Sequence, residues 1–130
     1  MHAAGAFEVK LTPQQDAQSE TSFLGRLLID KQFHGDLEAV SQGQMLSVRT
    51  SVESSAGYVA IERVTGSLHG RSGSFVLQHS GSMTRGVGQL TISVVPDSGT
   101  DALTGLAGTM AIIIADGDHR YEFEYALPEI

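Results

Sequence analysis

The chain has 130 residues, 41% hydrophobic and 18% charged, with fifteen acidic against eight basic residues and a formal net charge of −7. That describes one domain, residues 1–130, able to bury its own core, while the acidic balance and the singly scattered basic residues argue against nucleic acid or anionic lipid as partners. With no cysteine there is no disulfide, thiol nucleophile or thiolate metal site, and no apolar run of membrane-spanning length or basic leader is present, so the expected location is the cytoplasm.

Period-two alternation recurs along the whole chain and helical periodicity is nearly absent. Ala6 to Leu11 alternates cleanly and reads as a first strand, ended by the polar stretch from Thr12 to Glu20. Ser22 to Lys31, Asp36 to Arg49, Gly57 to Leu68, Ser72 to Ser82, Gly88 to Val95, Leu106 to Ala115 and His119 to Leu127 complete the series. About eight short strands separated by turn signals indicate a barrel or sandwich. Phe33-His34-Gly35-Asp36, Leu68-His69-Gly70-Arg71 and Ala115-Asp116-Gly117-Asp118 each place X-Gly between two strands, as tight hairpins require. Such short joints make the neighbours antiparallel. Gly99 to Gly105 is a longer connection that reads as a helical turn capped at both ends.

Pairing parity assigns the faces. An even turn in the last hairpin aligns Met110, Ile112 and Ile114 with Tyr125, Phe123 and Tyr121 as a core face. Ala111, Ile113 and Ala115 lie on the other face beside Arg120, Glu122 and Glu124. Apolar residues on both sides of that strand predict an outer cover, with a second subunit as the simplest one. A homo-oligomer is therefore expected.

Chemistry is concentrated on the fourth and fifth strands. If His69-Gly70 is a two-residue loop, Ala60 faces His79 and Glu62 is its diagonal neighbour; a four-residue loop sets Glu62 directly opposite His79. Either puts both side chains on the face that holds Tyr58, Val64, Phe75 and Leu77, within about 5–8 Å of one another. A carboxylate turned into an apolar interior has a raised pKa unless paired, and a neighbouring imidazole is held charged or oriented. Glu62 and His79 are thus the candidate general acid and base. A self-satisfying buried pair is the structural alternative. Tyr58, Tyr121 and Tyr125 could offer hydroxyls to the same cavity, or simply pack.

Other motifs carry less. Asp97-Ser98-Gly99-Thr100 resembles the Asp-Ser/Thr-Gly signature of aspartic peptidases, but a single copy would need a homodimer, Pro96 replaces the usual apolar residue, and an ordinary turn explains it. The five histidines lack the short spacings of metal-ligand pairs, and Asp116-Gly117-Asp118 lacks the further ligands of a calcium loop. No P-loop, dinucleotide fingerprint or Gly-x-Ser-x-Gly motif is present. No metal and no cofactor are expected.

Several segments also resemble a known group in the same order. Phe33-His34-Gly35-Asp36-Leu37, Gly57-Tyr58-Val59-Ala60 and Gly70-Arg71-Ser72-Gly73-Ser74-Phe75 resemble an uncharacterised group of small bacterial proteins, the domain-of-unknown-function 3224 family. Val95 to Thr100, Leu106-Ala107-Gly108 and His119-x-Tyr121 extend the resemblance over most of the chain. It implies a small, closed, eight-stranded antiparallel barrel similar to that of allene oxide cyclase and plant dirigent proteins, often oligomeric, with the Ser98–Gly105 connection looking like their Gly-rich loop. It implies no reaction, because fold does not dictate function.

Three readings follow. The first is a binding module for a small, mostly apolar molecule held by Tyr58, Glu62, Phe75, Leu77, His79, Tyr121, Phe123 and Tyr125. The second is a cofactor-free isomerase- or cyclase-like enzyme that uses Glu62 and His79 as acid and base. The third is an assembly protein whose barrel is filled. A cavity larger than roughly 300 Å³ would favour the first two.

Overall fold

The structure, a computed structural model, describes residues 1–14 and 23–128. Eight strands form a closed barrel in chain order: β1 (His2–Gln14), β2 (Gly25–Gly35), β3 (Leu37–Arg49), β4 (Ala56–Leu68), β5 (Arg71–Thr84), β6 (Val87–Val94), β7 (Ala107–Ala115) and β8 (Asp118–Ala126). All neighbours are antiparallel, and β1 pairs with β8 to close the sheet. The alternation therefore does what it predicts, with most strands running a few residues beyond their expected ends. Ser22, the expected start of the second strand, lies outside the described residues, as does most of the polar stretch before it.

His69-Gly70 and Asp116-Gly117 have positive φ at both positions, the type I′ geometry whose twist suits a two-residue hairpin. Arg85-Gly86 forms a third such turn between β5 and β6, a hairpin the sequence reading did not single out. His34-Gly35 departs from the expectation. Only Gly35 has positive φ, and Phe33 pairs with Ala39, so the connection is wider. Its backbone is held by side chains: the Gly35 N–H donates to Glu38 Oε1 within the connection (2.7 Å) and the Leu37 N–H to the Tyr121 hydroxyl from β8 (2.9 Å).

The last hairpin also corrects its predicted register. Its two-residue turn pairs Ala115 with Asp118, so Met110 faces Phe123 and Ile112 faces Tyr121, two residues from the expected alignment. Parity survives that shift, and the faces are as expected: Ala111, Ile113 and Ala115 point outward and are exposed.

The two ends of the barrel differ. At one end Phe33, Leu37, Leu68, Phe75, Leu77, Tyr121, Phe123 and Tyr125 pack into the main core. Each buried Phe contributes about 1.5–3 kcal/mol. The β6–β7 connection folds over this end, and its Leu103 and Leu106 plug it. The expected helical turn is present as a 3-10 turn, Asp101–Leu103, but no side chain caps its start. Thr100 is occupied elsewhere, its Oγ1 accepting the Ser74 N–H at 3.0 Å. Gly73 makes room for this plug, because a Cβ there would stand 2.2 Å from the Thr100 carbonyl oxygen. Asp97 is exposed in the turn leading into the plug, where the Ser98 N–H donates to Val95 O (3.2 Å).

At the opposite end the interior positions open out. Leu11, Met83, Leu90 and Ile114 continue the inward parity of buried residues, yet are 44%, 44%, 46% and 67% exposed. The wall splays there as well: β6 and β7 pair only through Ile92–Met110 and Ser93–Thr109. Among the described residues the barrel is a cup, sealed at one end and open at the other.

Candidate functional site

A polar cluster crosses the middle of the cup. Glu62 on β4 and His79 on β5 are neighbours across the ladder, with Ala60 opposite His79 and Leu77 opposite Glu62, as the two-residue turn at His69-Gly70 requires. His79 Nε2 lies 2.5 Å from Glu62 Oε2. A carboxylate can only accept, so Nε2 carries a proton and donates.

Two further partners complete the cluster. Lys31 Nζ on β2 donates to the same Oε2 at 2.8 Å, and Ser41 Oγ on β3 donates to Oε1 at 2.7 Å. The Lys31 ammonium also lies 5.2 Å from the Phe7 ring centroid and 5.7 Å from that of Phe33, a cation–π arrangement. Glu62 is fully buried, and Lys31 and His79 nearly so. Burial by itself would raise the carboxyl pKa. The hydrogen bond from His79 and the charge and hydrogen bond of Lys31 outweigh it and lower the value from 4.5 to about 2.

Lys31 and Ser41 were missed in the sequence reading, though parity could have found them. Ile29-x-Lys31-x-Phe33 and Ala39-x-Ser41-x-Gly43 run along inward faces, and a polar residue in such a file needs a partner. A lysine is easily dismissed as solvent-facing because it usually is.

His79 has a second edge. Its Nδ1 makes no hydrogen bond with any described residue, and no fully enclosed side-chain nitrogen or oxygen among those residues lacks a partner. That edge is not fully enclosed, yet His79 is only 4% exposed and does not line the cavity at the mouth. Above it, toward the mouth, stands Tyr58, its ring centroid 6.3 Å from that of His79. Tyr58 lies across Gly81, where a Cβ would stand 2.4 Å from the tyrosine Cε1. Burial and then the negative charge of Glu62 push the Tyr58 pKa up, so its hydroxyl stays protonated.

Tyr58 is the floor of a cavity of about 850 Å³ at the open end, bounded by the ends of β3 to β6 and the connection between β3 and β4. Met45, Val48, Val52, Met83 and Leu90 give it apolar walls, with Ser47, Ser55 and Gln89 among them. Of the sequence-predicted site residues, Tyr58 lines this space, while Glu62 and His79 sit beneath it. Phe75, Leu77, Tyr121, Phe123 and Tyr125 lie in the sealed half. The Tyr121 hydroxyl is used there, donating to His34 O at 2.8 Å, and the Tyr125 hydroxyl is bonded to His69 Nδ1. These two hydroxyls do not share a cavity with that of Tyr58, because the strand ends that carry them pack under the plug.

The fold is shared by a relative. A crystal structure of a protein with unknown function from the DUF3224 family of Shewanella oneidensis MR-1 is 53% identical, covering 100% of this chain and 98% of its own, with a TM-score of 0.93. The family model described as "Protein of unknown function (DUF3224)" matches residues 3–125. This chain belongs to the DUF3224 family. No curated protein is similar to it. Among the described residues, the DUF3224 cup has no group of three or more His, Asp or Glu side chains placed to hold a metal ion. No helix of those residues is long and apolar enough to cross a membrane.

Proposed function

We propose that this DUF3224 barrel binds a small, mostly apolar molecule in its open end. The observation that carries this reading is the cavity of about 850 Å³, apolar at its walls and floored by a protonated tyrosine. Small-molecule sites combine such walls with a few fixed polar groups and fill a few hundred to about 1,000 Å³. The contacts belong to Tyr58 and to mouth residues such as Met45, Ser47, Met83 and Leu90. The aromatic residues of the sealed half support the cup from below. A wholly filled barrel serving assembly alone would leave no reason to splay the wall and expose inward-facing apolar side chains to water.

The test is titration with the fluorescent probe anilinonaphthalene sulfonate, alongside variants that fill the mouth. The expected result is saturable binding by the native protein and its loss in Ser47→Phe and Met83→Trp, with far-ultraviolet circular dichroism of both variants like that of the native protein. Binding that ignores both substitutions, or no binding at all, overturns the proposal. Native mass spectrometry of protein from its own host is expected to show a retained molecule.

A further inference from the structure

We infer that the open mouth selects an amphipathic monocarboxylate, with its apolar body between Met83 and Leu90 and its carboxylate on Arg49. The inference rests on the binding reading above and names the chemical class of the ligand.

Strand parity places the arginine. Alternate residues of β3 face inward: Leu37, Ala39 and Ser41 are buried, and Met45, Ser47 and Arg49 continue the same file along the cavity wall. Lys31, the inward cation of β2, is spent on Glu62. Arg49 is not spent. It lies exposed in the mouth and makes no hydrogen bond or ion pair with any described residue, so its five N–H donors are open to a bound molecule.

The rim beside it has the same sign. The β5–β6 turn is bonded to the β3–β4 connection, the Arg85 N–H donating to Ser55 Oγ at 3.0 Å and the Gly86 N–H to Ser54 O at 2.9 Å. Ser54 and Ser55 line the cavity, so this contact sets a second arginine at its edge, also without a partner among the described residues. Glu53 is the one carboxylate in the wall among those residues, and it forms no ion pair with Arg49. Two guanidinium groups against one carboxylate give this rim a positive balance in a chain whose net charge is −7. Apolar walls with a cation at their edge suit a molecule with an apolar body and one terminal anion. The planar fork of a guanidinium matches both oxygens of a carboxylate, a fit that a neutral head group does not offer. Exposure at the rim limits the gain: an exposed ion pair adds a few-fold, and bidentate geometry raises that to about tenfold.

The experiment loads the protein with the neutral fluorescent probe N-phenyl-1-naphthylamine and displaces it with decanoate, decanol or decylammonium at neutral pH and low salt. The three competitors share one apolar body and differ in head-group charge. Decanoate should bind about tenfold tighter than decanol, and decylammonium weakest of the three. Arg49→Gln should bring decanoate to within about twofold of decanol while leaving decanol unchanged, and Arg49→Lys should keep part of the preference. Arg49 is exposed at a strand end, so both variants should unfold at the same urea concentration as the native protein. Added salt should shrink the preference for decanoate. Equal affinity for decanoate and decanol, a preference that survives Arg49→Gln, or tightest binding of decylammonium overturns the inference and leaves the pocket standing, since the neutral probe still reports it. No saturable binding of the probe or of any competitor overturns both.

Discussion

Replacing Glu62 by Gln keeps the shape of the side chain and removes the charge on which three donors converge. Ser41 Oγ, Lys31 Nζ and His79 Nε2 all donate to the carboxylate, at 2.7, 2.8 and 2.5 Å. A glutamine with its amide oxygen toward Lys31 and His79 turns its NH₂ on the Ser41 hydroxyl, which can accept, so the hydrogen bonds can be kept while the charge is lost. The Lys31 ammonium then loses its counter-charge and keeps a neutral amide oxygen and the Phe7 and Phe33 ring faces. Breaking a buried ion pair by removing one partner costs about 3–5 kcal/mol. The carboxyl pKa gives a consistent figure: lowering it from 4.5 to about 2 corresponds to about 3 kcal/mol of stability at neutral pH. The sign follows from the direction of the shift. The folded pKa lies below the unfolded one, so this stability is complete above about pH 4.5 and is lost as pH falls toward 2. Urea unfolding between pH 2 and 7 is the assay. The native protein should lose about 3 kcal/mol on acidification from this group, and Glu62→Gln should start lower by about 3–5 kcal/mol and lack that slope. The paired change Lys31→Met with Glu62→Leu removes the unpaired ammonium but leaves the buried Ser41 and His79 donors without an acceptor, at about 1–3 kcal/mol each, so it should not restore native stability. A Glu62→Gln protein as stable as the native one at pH 7, with the same acid dependence, would refute the reasoning.

Other substitutions probe the two halves of the cup separately. Phe123→Ala, at a fully buried ring stacked on Phe75 and Tyr125, should cost about 3–5 kcal/mol in chemical denaturation. Leu90→Gln at the rim, where the native side chain is half exposed, should stay within about 0.5 kcal/mol in the same measurement while weakening probe binding. Gly81→Ala forces a Cβ to within 2.4 Å of the Tyr58 ring and should cost about 1–3 kcal/mol, with a change in near-ultraviolet circular dichroism from the displaced tyrosine. Tyr121→Phe removes the hydroxyl that receives the Leu37 N–H and donates to His34 O, and should lower stability by about 1–3 kcal/mol.

The strands, their antiparallel order and the inward placement of Glu62 and His79 were legible in the chain itself, because side chains in a strand alternate and a two-residue turn propagates parity along both arms. Asp116-Gly117 and His69-Gly70 carried that information locally, through the positive φ that such turns demand. The two-residue error in pairing β7 with β8 shows the limit: parity identifies a face, but not which residues on it meet. Closure of β1 on β8, the Lys31 and Ser41 partners of Glu62, and the contrast between a sealed and an open end all join residues far apart in sequence. No local pattern distinguishes an inward Phe75 at the plugged end from an inward Leu90 at the rim, since both obey the same alternation. Only the closed sheet, with the connection through Leu103 and Leu106 folded over one mouth and not the other, decided which of those side chains is core and which borders a cavity.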